Sequence, residues 1–279
     1  MKILLLFDTS NLMMRSLYAN KPSPAETKFD MFKLTFLASM IKEIKEHNPD
    51  RVIMVQDSES WRKEIYPAYK ANRAAKREAD PINFEAFYAE AEKFLTTLQN
   101  CFGNVQFLRV PRAEADDIIA TIVKNKPDWQ ITNISSDKDF YQLFKYENYH
   151  QWDGIKRQFI QVVNPTQELQ LKIILGDKGD NIPSLKRGVG PVKALKILNE
   201  DLDAWLTAES LNDRYNENTQ LISFDAIPIS LANDIMKVVN EWVPGQFDGR
   251  KYFNYVSNSG LAELMDRLTD YSQTIKGLK

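Results

Sequence analysis

The chain has 279 residues, enough for one large or two modest domains, and 43% of them are hydrophobic, which supports a full core. Its 36 Lys and Arg stand against 38 Asp and Glu, a net charge of −2, so it is no uniformly basic coat for nucleic acid, and any such partner needs local basic patches. A single cysteine, Cys101, excludes a disulfide scaffold and fits a reducing cytoplasm, while the only histidines, His47 and His150, exclude a His-rich zinc site.

The first apolar run, Ile3 to Phe7, is shorter than the ~7 to 15 residues of a signal-peptide core and reads as a strand. No run approaches the ~20 apolar residues of a membrane span, so a soluble, unexported protein without a membrane partner is expected. Further strands are predicted at Val52 to Val55, Val105 to Val110 and Ile131 to Ile134. Between them, Phe29, Phe32, Phe36, Met40 and Ile44, and later Phe84, Phe87, Ala91, Phe94, Leu95 and Leu98, recur at helical spacing. This alternation predicts an α/β fold with a mostly parallel sheet flanked by helices. Asp153-Gly154 suggests a hairpin between Tyr149 to Trp152 and Gln158 to Val163. After Asn164-Pro165 the apolar pattern is helical only, in Leu169, Ile173 and Ile174, in Val192, Leu195 and Ile197, in Ile235, Val238 and Val239, and in Leu261, Leu264 and Leu268. The expected organisation is therefore a sheet domain over residues 1–164 and a helical C-terminal domain over 165–279.

Acids gather where the apolar runs stop. Asp8 ends the first strand and Asp57 follows the second; Glu114, Asp116 and Asp117 follow the third, and Asp137 and Asp139 the fourth. Ligands of parallel α/β sheets sit outside the carboxyl ends of the strands, so these groups should converge. Asp177 and Asp180 lie in a Gly/Asp loop just past the boundary. Two like charges ~4 Å apart repel by roughly 4 kcal/mol at an effective dielectric near 20, so a convergence of this size needs cations. Hard divalent ions with oxygen ligands supply them, and nine carboxylates fit two such ions with outer partners. Individually, Asp116 and Asp117 would also suit a helix N-terminus, and Asp8 and Asp57 a turn.

Two basic features complement the acids. Residues 61–80 interleave Arg62, Lys63, Lys70, Arg73, Lys76 and Arg77 with Trp61, Tyr66 and Tyr69, a pattern that can pair with phosphates and stack on bases or can simply form a solvated helix face. Gly188-Val189-Gly190-Pro191-Val192-Lys193 lacks a P-loop or dinucleotide fingerprint, yet its backbone N–H groups can hold a phosphate at a helix start.

Taken in order, Asp8-Thr9-Ser10-Asn11, Tyr66 to Arg73, Ala113 to Asp117, Ser136 to Asp139 and Gly176 to Pro183 resemble the 5′ nuclease family of flap endonucleases and 5′-3′ exonucleases, across residues 8–198. The tail from Arg214 to Leu268 is most similar to the T-even phage ribonuclease H branch of that family. The resemblance implies a PIN-like catalytic domain with a helical arch at about 60–90, and a helix-hairpin-helix in the C-terminal part. It implies two Mg²⁺ ions, replaceable by Mn²⁺, one among Asp8, Asp57, Asp116 and Asp137 and the other among Asp139, Asp177 and Asp180, with Glu114 and Asp117 close by. It gives Lys70 and Arg73 a contact with the scissile phosphate, Arg62, Lys63, Tyr69, Lys76 and Arg77 a nucleic-acid face, and Gly188, Gly190 and Lys193 a duplex grip with K⁺. Between Asp180 and Gly188 the chain is one residue longer than the usual family spacing.

The implied activity is 5′-3′ exonuclease and flap endonuclease cleavage of duplex, flap and RNA-DNA hybrid nucleic acid, with removal of RNA primers during phage replication. The implied setting is the host cytoplasm, beside a sliding clamp or single-strand-binding protein, although Ile275 to Lys279 carries no paired aromatics of a clamp motif. Two alternatives stand beside it. A haloacid-dehalogenase-type phosphatase needs a second Asp where Ser10 stands, and a non-catalytic junction-binding protein of the same fold has no use for an intact carboxylate set.

Overall fold

The computed structural model describes residues 1–19 and 25–278, with backbone alone at 25–28. Lys279, the end of the expected helical domain, lies outside them. The first part runs β1 (Lys2–Asp8), α1 (Thr9–Tyr18), α2 (Ala25–His47), β2 (Arg51–Val55), α3 (Arg62–Ile65), α4 (Asn72–Glu78), α5 (Phe84–Cys101), β3 (Gln106–Leu108), α6 (Ala115–Asn125), β4 (Trp129–Ile134), β5 (Tyr149–Asp153) and β6 (Gln158–Phe159), with a 3-10 turn at Lys138–Lys145. Helices follow: α7 (Pro165–Leu175), α8 (Pro191–Glu200), α9 (Leu202–Ala208), α10 (Asn212–Ile222), α11 (Ile229–Glu241), α12 (Gly249–Asn258), α13 (Ala262–Asp266) and α14 (Leu268–Lys276).

The sheet order is β3-β2-β1-β4-β5-β6, parallel except for β6, which runs antiparallel to β5. The expected α/β sheet is thus present, with β3 and β6 shorter than the apolar runs suggested. Strand alternation divides the core. Leu5, Phe7, Val52, Met54 and Ile134 face one layer, and Leu4, Leu6, Ile53, Val55 and Ile131 face the other. On the first face, Phe32, Phe36, Phe87 and Phe94 of α2 and α5 interlock edge to face, with ring centroids 5.0 to 5.8 Å apart.

The late helices divide. Ile174, Leu185, Val189, Ala194, Ile197 and Leu206 form a small core of their own around α7 to α9. The remainder returns to the sheet: α11 buries Leu231, Ile235 and Val239 beside α6, while Tyr252, Val256, Leu264, Tyr271 and Ile275 of α12 to α14 join the core of α2 and α5. Apolar periodicity marks a helix and not its partner, so sequence alone does not reveal this return. Val192, Leu195 and Val238 of the helical apolar pattern are exposed. Among the described residues no helix is long and apolar enough to cross a membrane.

Successive connections leave β1 toward β2 on one side and arrive at β4 on the other, so the strand order reverses between β1 and β4. Their carboxyl ends therefore open a crevice at the switch point.

Candidate functional site

Asp8 closes β1 and caps α1, accepting from the Asn11 N–H at 3.0 Å, and Ser135 at the end of β4 donates to its other oxygen at 3.1 Å. Burial, reinforced by the nearby Asp57 and Asp137, pushes the Asp8 carboxyl up to about 7. Asp57 accepts from the Ser10 hydroxyl and from the Ala115 N–H at 2.8 Å. Asp137 starts the 3-10 turn by accepting from the Asp139 N–H at 3.0 Å.

Two tighter groups flank this line. Glu114, Asp116 and Asp117 bring one carboxylate oxygen each within 4.8 Å of one another, and so do Asp139, Asp177 and Asp180. Within the described residues Asp8, Asp57 and Asp137 do not close to that distance, and Asp116 stands with Glu114 and Asp117 instead of with them. A cavity of about 10 Å³ bounded by Asp116, Asp139 and Asp180 joins the two groups.

Buried cations answer these charges. Arg62, 2% exposed, donates from Nη1 to Glu114 Oε2 and Asp117 Oδ2 at 3.0 Å each, and its Nη2 lies 2.8 Å from Asp117 Oδ1. Its Nε donates to the Leu221 carbonyl at 2.7 Å, tying the end of α10 to the site. Arg62 is thus no surface contact for nucleic acid: its guanidinium is buried against Glu114, Asp117 and the Leu221 carbonyl. Tyr69 is corrected likewise, because it is 2% exposed and its hydroxyl lies between Glu114 at 3.0 Å and Asp180 at 3.1 Å. Asp117, expected beside the metals, faces Arg62 through both its oxygens and also accepts from the Glu114 N–H at 3.1 Å. Glu114 is held by Ser60, Arg62, Tyr69 and Lys70. Burial alone would raise Glu114, yet the Lys70 ammonium and Arg62 outweigh it and hold the carboxyl below its ordinary range. Asp116 keeps no such partner: burial and its acidic neighbours drive its carboxyl well above the usual range.

The second group is assembled by a loop. Gly176, at φ 68°, adopts a conformation that disfavours side chains, and a Cβ there would come within 2.5 Å of the Ile182 carbonyl oxygen. Asp177 and Ile182 exchange backbone hydrogen bonds of 2.8 Å, and buried Asn218 of α10 donates to the Ile173 and Pro183 carbonyls at 2.9 Å. The loop docks on residues 66–73 through the Lys70 N–H to the Asp180 carbonyl at 2.9 Å and Asn181 Nδ2 to the Ala68 carbonyl at 2.8 Å. Lys70, in the left-handed region at φ 57°, thereby brings its ammonium to Glu114 and within 3.7 Å of Asp180, which Arg73 meets at 2.6 Å. Lys172 of α7 pairs with Asp139, and with Asp177 at 2.9 Å.

Beside the acids, Arg73, Lys76, Arg77 and Arg109 rim a groove of about 460 Å³ that reaches Ser10 and Asp57 and is floored by Met13, Met14, Phe84, Tyr88 and Leu95. Helix α4 buries none of its residues. Lys63 is exposed and pairs with Glu59 at 3.2 Å, outside this lining. Gly188, at φ 83°, and Gly190, which caps α8, form an open turn after Lys186 and Arg187, with Lys193 exposed one turn on.

Sequence reasoning missed Lys172, Asn218 and the inward course of Arg62. Lys172 had one legible signal, five residues before Asp177 on the helix that feeds the acidic loop.

Residues 3–172 match the model of the 5′-3′ exonuclease N-terminal resolvase-like domain, and residues 164–271 match that of the T4 RNase H C-terminal region. The chain is 27% identical to ribonuclease H of Enterobacteria phage T4 over 95% of both chains. It is 32% identical to flap endonuclease Xni of Shewanella oneidensis over 70% of this chain and 73% of that one. A complex of the bacteriophage T5 flap endonuclease with DNA and metal ions, 19% identical, shares the fold with a TM-score of 0.67 over 98% of this chain and 100% of the other.

Proposed function

The chain belongs to the 5′-3′ exonuclease family and is a nuclease, and from that premise we propose that it cleaves phosphodiesters near 5′ ends with divalent metal, acting on flap, duplex and RNA-DNA hybrid substrates. The observation that carries this reading is the pair of acidic groups, Glu114, Asp116 and Asp117 and Asp139, Asp177 and Asp180, joined at one crevice near the mutually repelling Asp8, Asp57 and Asp137, with Lys70 and Arg73 at the edge of Asp180.

The residues fit the ion. The donor set is all oxygen, as hard cations require, and Asp116 is a half-buried carboxyl that desolvation and its acidic neighbours drive well above the usual range. Asp8, Asp57, Asp116 and Asp137 would hold one Mg²⁺ or Mn²⁺, and Asp139, Asp177 and Asp180 the other. A bound divalent ion supplies stabilisation of phosphoryl oxygens and an acidified water.

The chain's own groups do the rest. Lys70 and Arg73, held by the acidic loop, offer positive charge to the transferring phosphoryl group, where charge develops. Arg62 and Ser60 orient Glu114, which orients Lys70. Arg77, Lys76 and Arg109 face the groove with phosphate-pairing charge, and its apolar floor suits unpaired bases. Gly188, Gly190 and Lys193 would grip a duplex by its backbone, with K⁺ at the turn, without reading sequence. Similarity to a phage ribonuclease H supports a substrate that contains RNA, and the proposed role is RNA primer removal in phage replication, in the host cytoplasm and beside a sliding clamp or single-strand-binding protein.

A 5′-labelled flap and a nicked RNA-DNA duplex, each incubated with the chain in Mg²⁺ or in chelator, test the reading. It predicts Mg²⁺-dependent release of short 5′ products, abolished by Asp137→Asn. Equal cleavage in chelator, or binding without cleavage in Mg²⁺, would refute it.

A further inference from the structure

Helix α7 inserts Lys172 into the acidic group of Asp139, Asp177 and Asp180. The Lys172 side chain is 23% exposed, and its Nζ bridges Asp139 and Asp177, while Arg73 and Lys70 attend Asp180. The bridge therefore puts a full positive charge where a divalent ion shared by these carboxylates would sit.

We infer that Lys172 is a tethered counter-ion of the second metal position, which a divalent ion must displace in order to bind there. This rests on the reading of the chain as a divalent-metal nuclease. Two features make displacement feasible. Lysine carries a point charge on a flexible four-carbon stem, unlike the planar fork of Arg62 on the neighbouring group. Glu168, exposed one turn earlier on α7, stands at the i, i+4 spacing that gives a displaced ammonium a new partner on its own helix. Two consequences follow. The metal-free fold keeps its acidic loop neutralised, and the second ion binds more weakly than the first by the free energy of moving the lysine. An anionic phosphodiester arriving at the crevice offers the freed ammonium a further partner, so metal at this position and nucleic acid strengthen one another.

Calorimetric titration of the chelator-treated full chain with Mn²⁺, without nucleic acid, tests the inference in the wild type, Lys172→Met, Lys172→Gln, Lys172→Arg and, as a distant control, Lys196→Met. The wild type should show a tighter and a weaker class of site. Lys172→Met and Lys172→Gln should tighten the weaker class by tenfold or more, whereas Lys172→Arg and Lys196→Met keep it weak. In parallel, metal-free Lys172→Met should melt below the wild type and gain more in melting temperature from Mn²⁺. A wild type that binds Mn²⁺ while both neutral variants bind it no tighter overturns the inference alone. A wild type that binds no Mn²⁺ overturns the metal reading and this inference with it.

Discussion

The two acidic groups on either side of the switch-point crevice solve one electrostatic problem in different ways. At Glu114 and Asp117 the answer is a guanidinium whose side chain is 2% exposed, against a carboxylate of Asp117 that is 0% exposed. At Asp139 and Asp177 the answer is an ammonium 23% exposed, against carboxylates 26% and 25% exposed. The first pairing is bidentate and anchored on a third element through the Leu221 carbonyl. The second is a single charge at the end of a flexible stem. A buried fork is built to stay, and a half-exposed point charge can be exchanged. On the proposed reading, the rigidity of the cation already present separates acids held for architecture from those open to an ion.

Breaking the rigid side should have the largest effect. Arg62→Met strands the buried Asp117 carboxylate and takes one partner from Glu114, so urea unfolding in chelator should show a loss of roughly 3 to 5 kcal/mol, with Arg62→Lys falling between. A loss below about 1 kcal/mol would mean that water reaches this group and that the contrast is not one of burial.

The next largest effect sharpens the comparison at the seam between the groups, where Lys70 touches Glu114 and approaches Asp180. Lys70→Ala should lower kcat by roughly a hundredfold with little change in substrate Kd, because such a charge acts chiefly in the transition state. An effect confined to Kd would make Lys70 a binding residue.

Much of this was legible in the sequence, for identifiable reasons. Strand runs such as Ile3 to Phe7 are short, apolar on both faces and end in acids, so the parallel sheet and the direction of its crevice followed from pattern. Asp139, Asp177 and Asp180 were grouped by resemblance, and the loop that unites them depends on Gly176 and Asn218. The inward turn of Arg62 was not legible. A basic residue beside Lys63 in a charged segment reads as surface, and only the fold shows that Trp61, Arg62 and Tyr69 point inward. Nor was the return of α11 to α14 onto the sheet, because periodicity carries no information about which apolar face receives a helix.

The central claim is that Asp8, Asp57 and Asp137 repel one another until a cation binds, and metal-free thermal stability against pH tests it most directly. Asp8 has a folded value of about 7 against an ordinary 3.8, so its penalty is complete above pH 7 and is relieved as pH falls from there toward 4. Glu114 and Asp177 are held low, so their favourable contributions are lost only below the ordinary carboxylate range and leave this window undisturbed. Between pH 8 and 6 the chelator-treated chain should therefore gain about 1 to 2 kcal/mol, a rise of roughly 2 to 5 °C in Tm. Saturating Mg²⁺ should raise Tm at pH 8 and flatten that slope. A metal-free Tm that is level or falls from pH 8 to 6, with no response to Mg²⁺, would contradict the account.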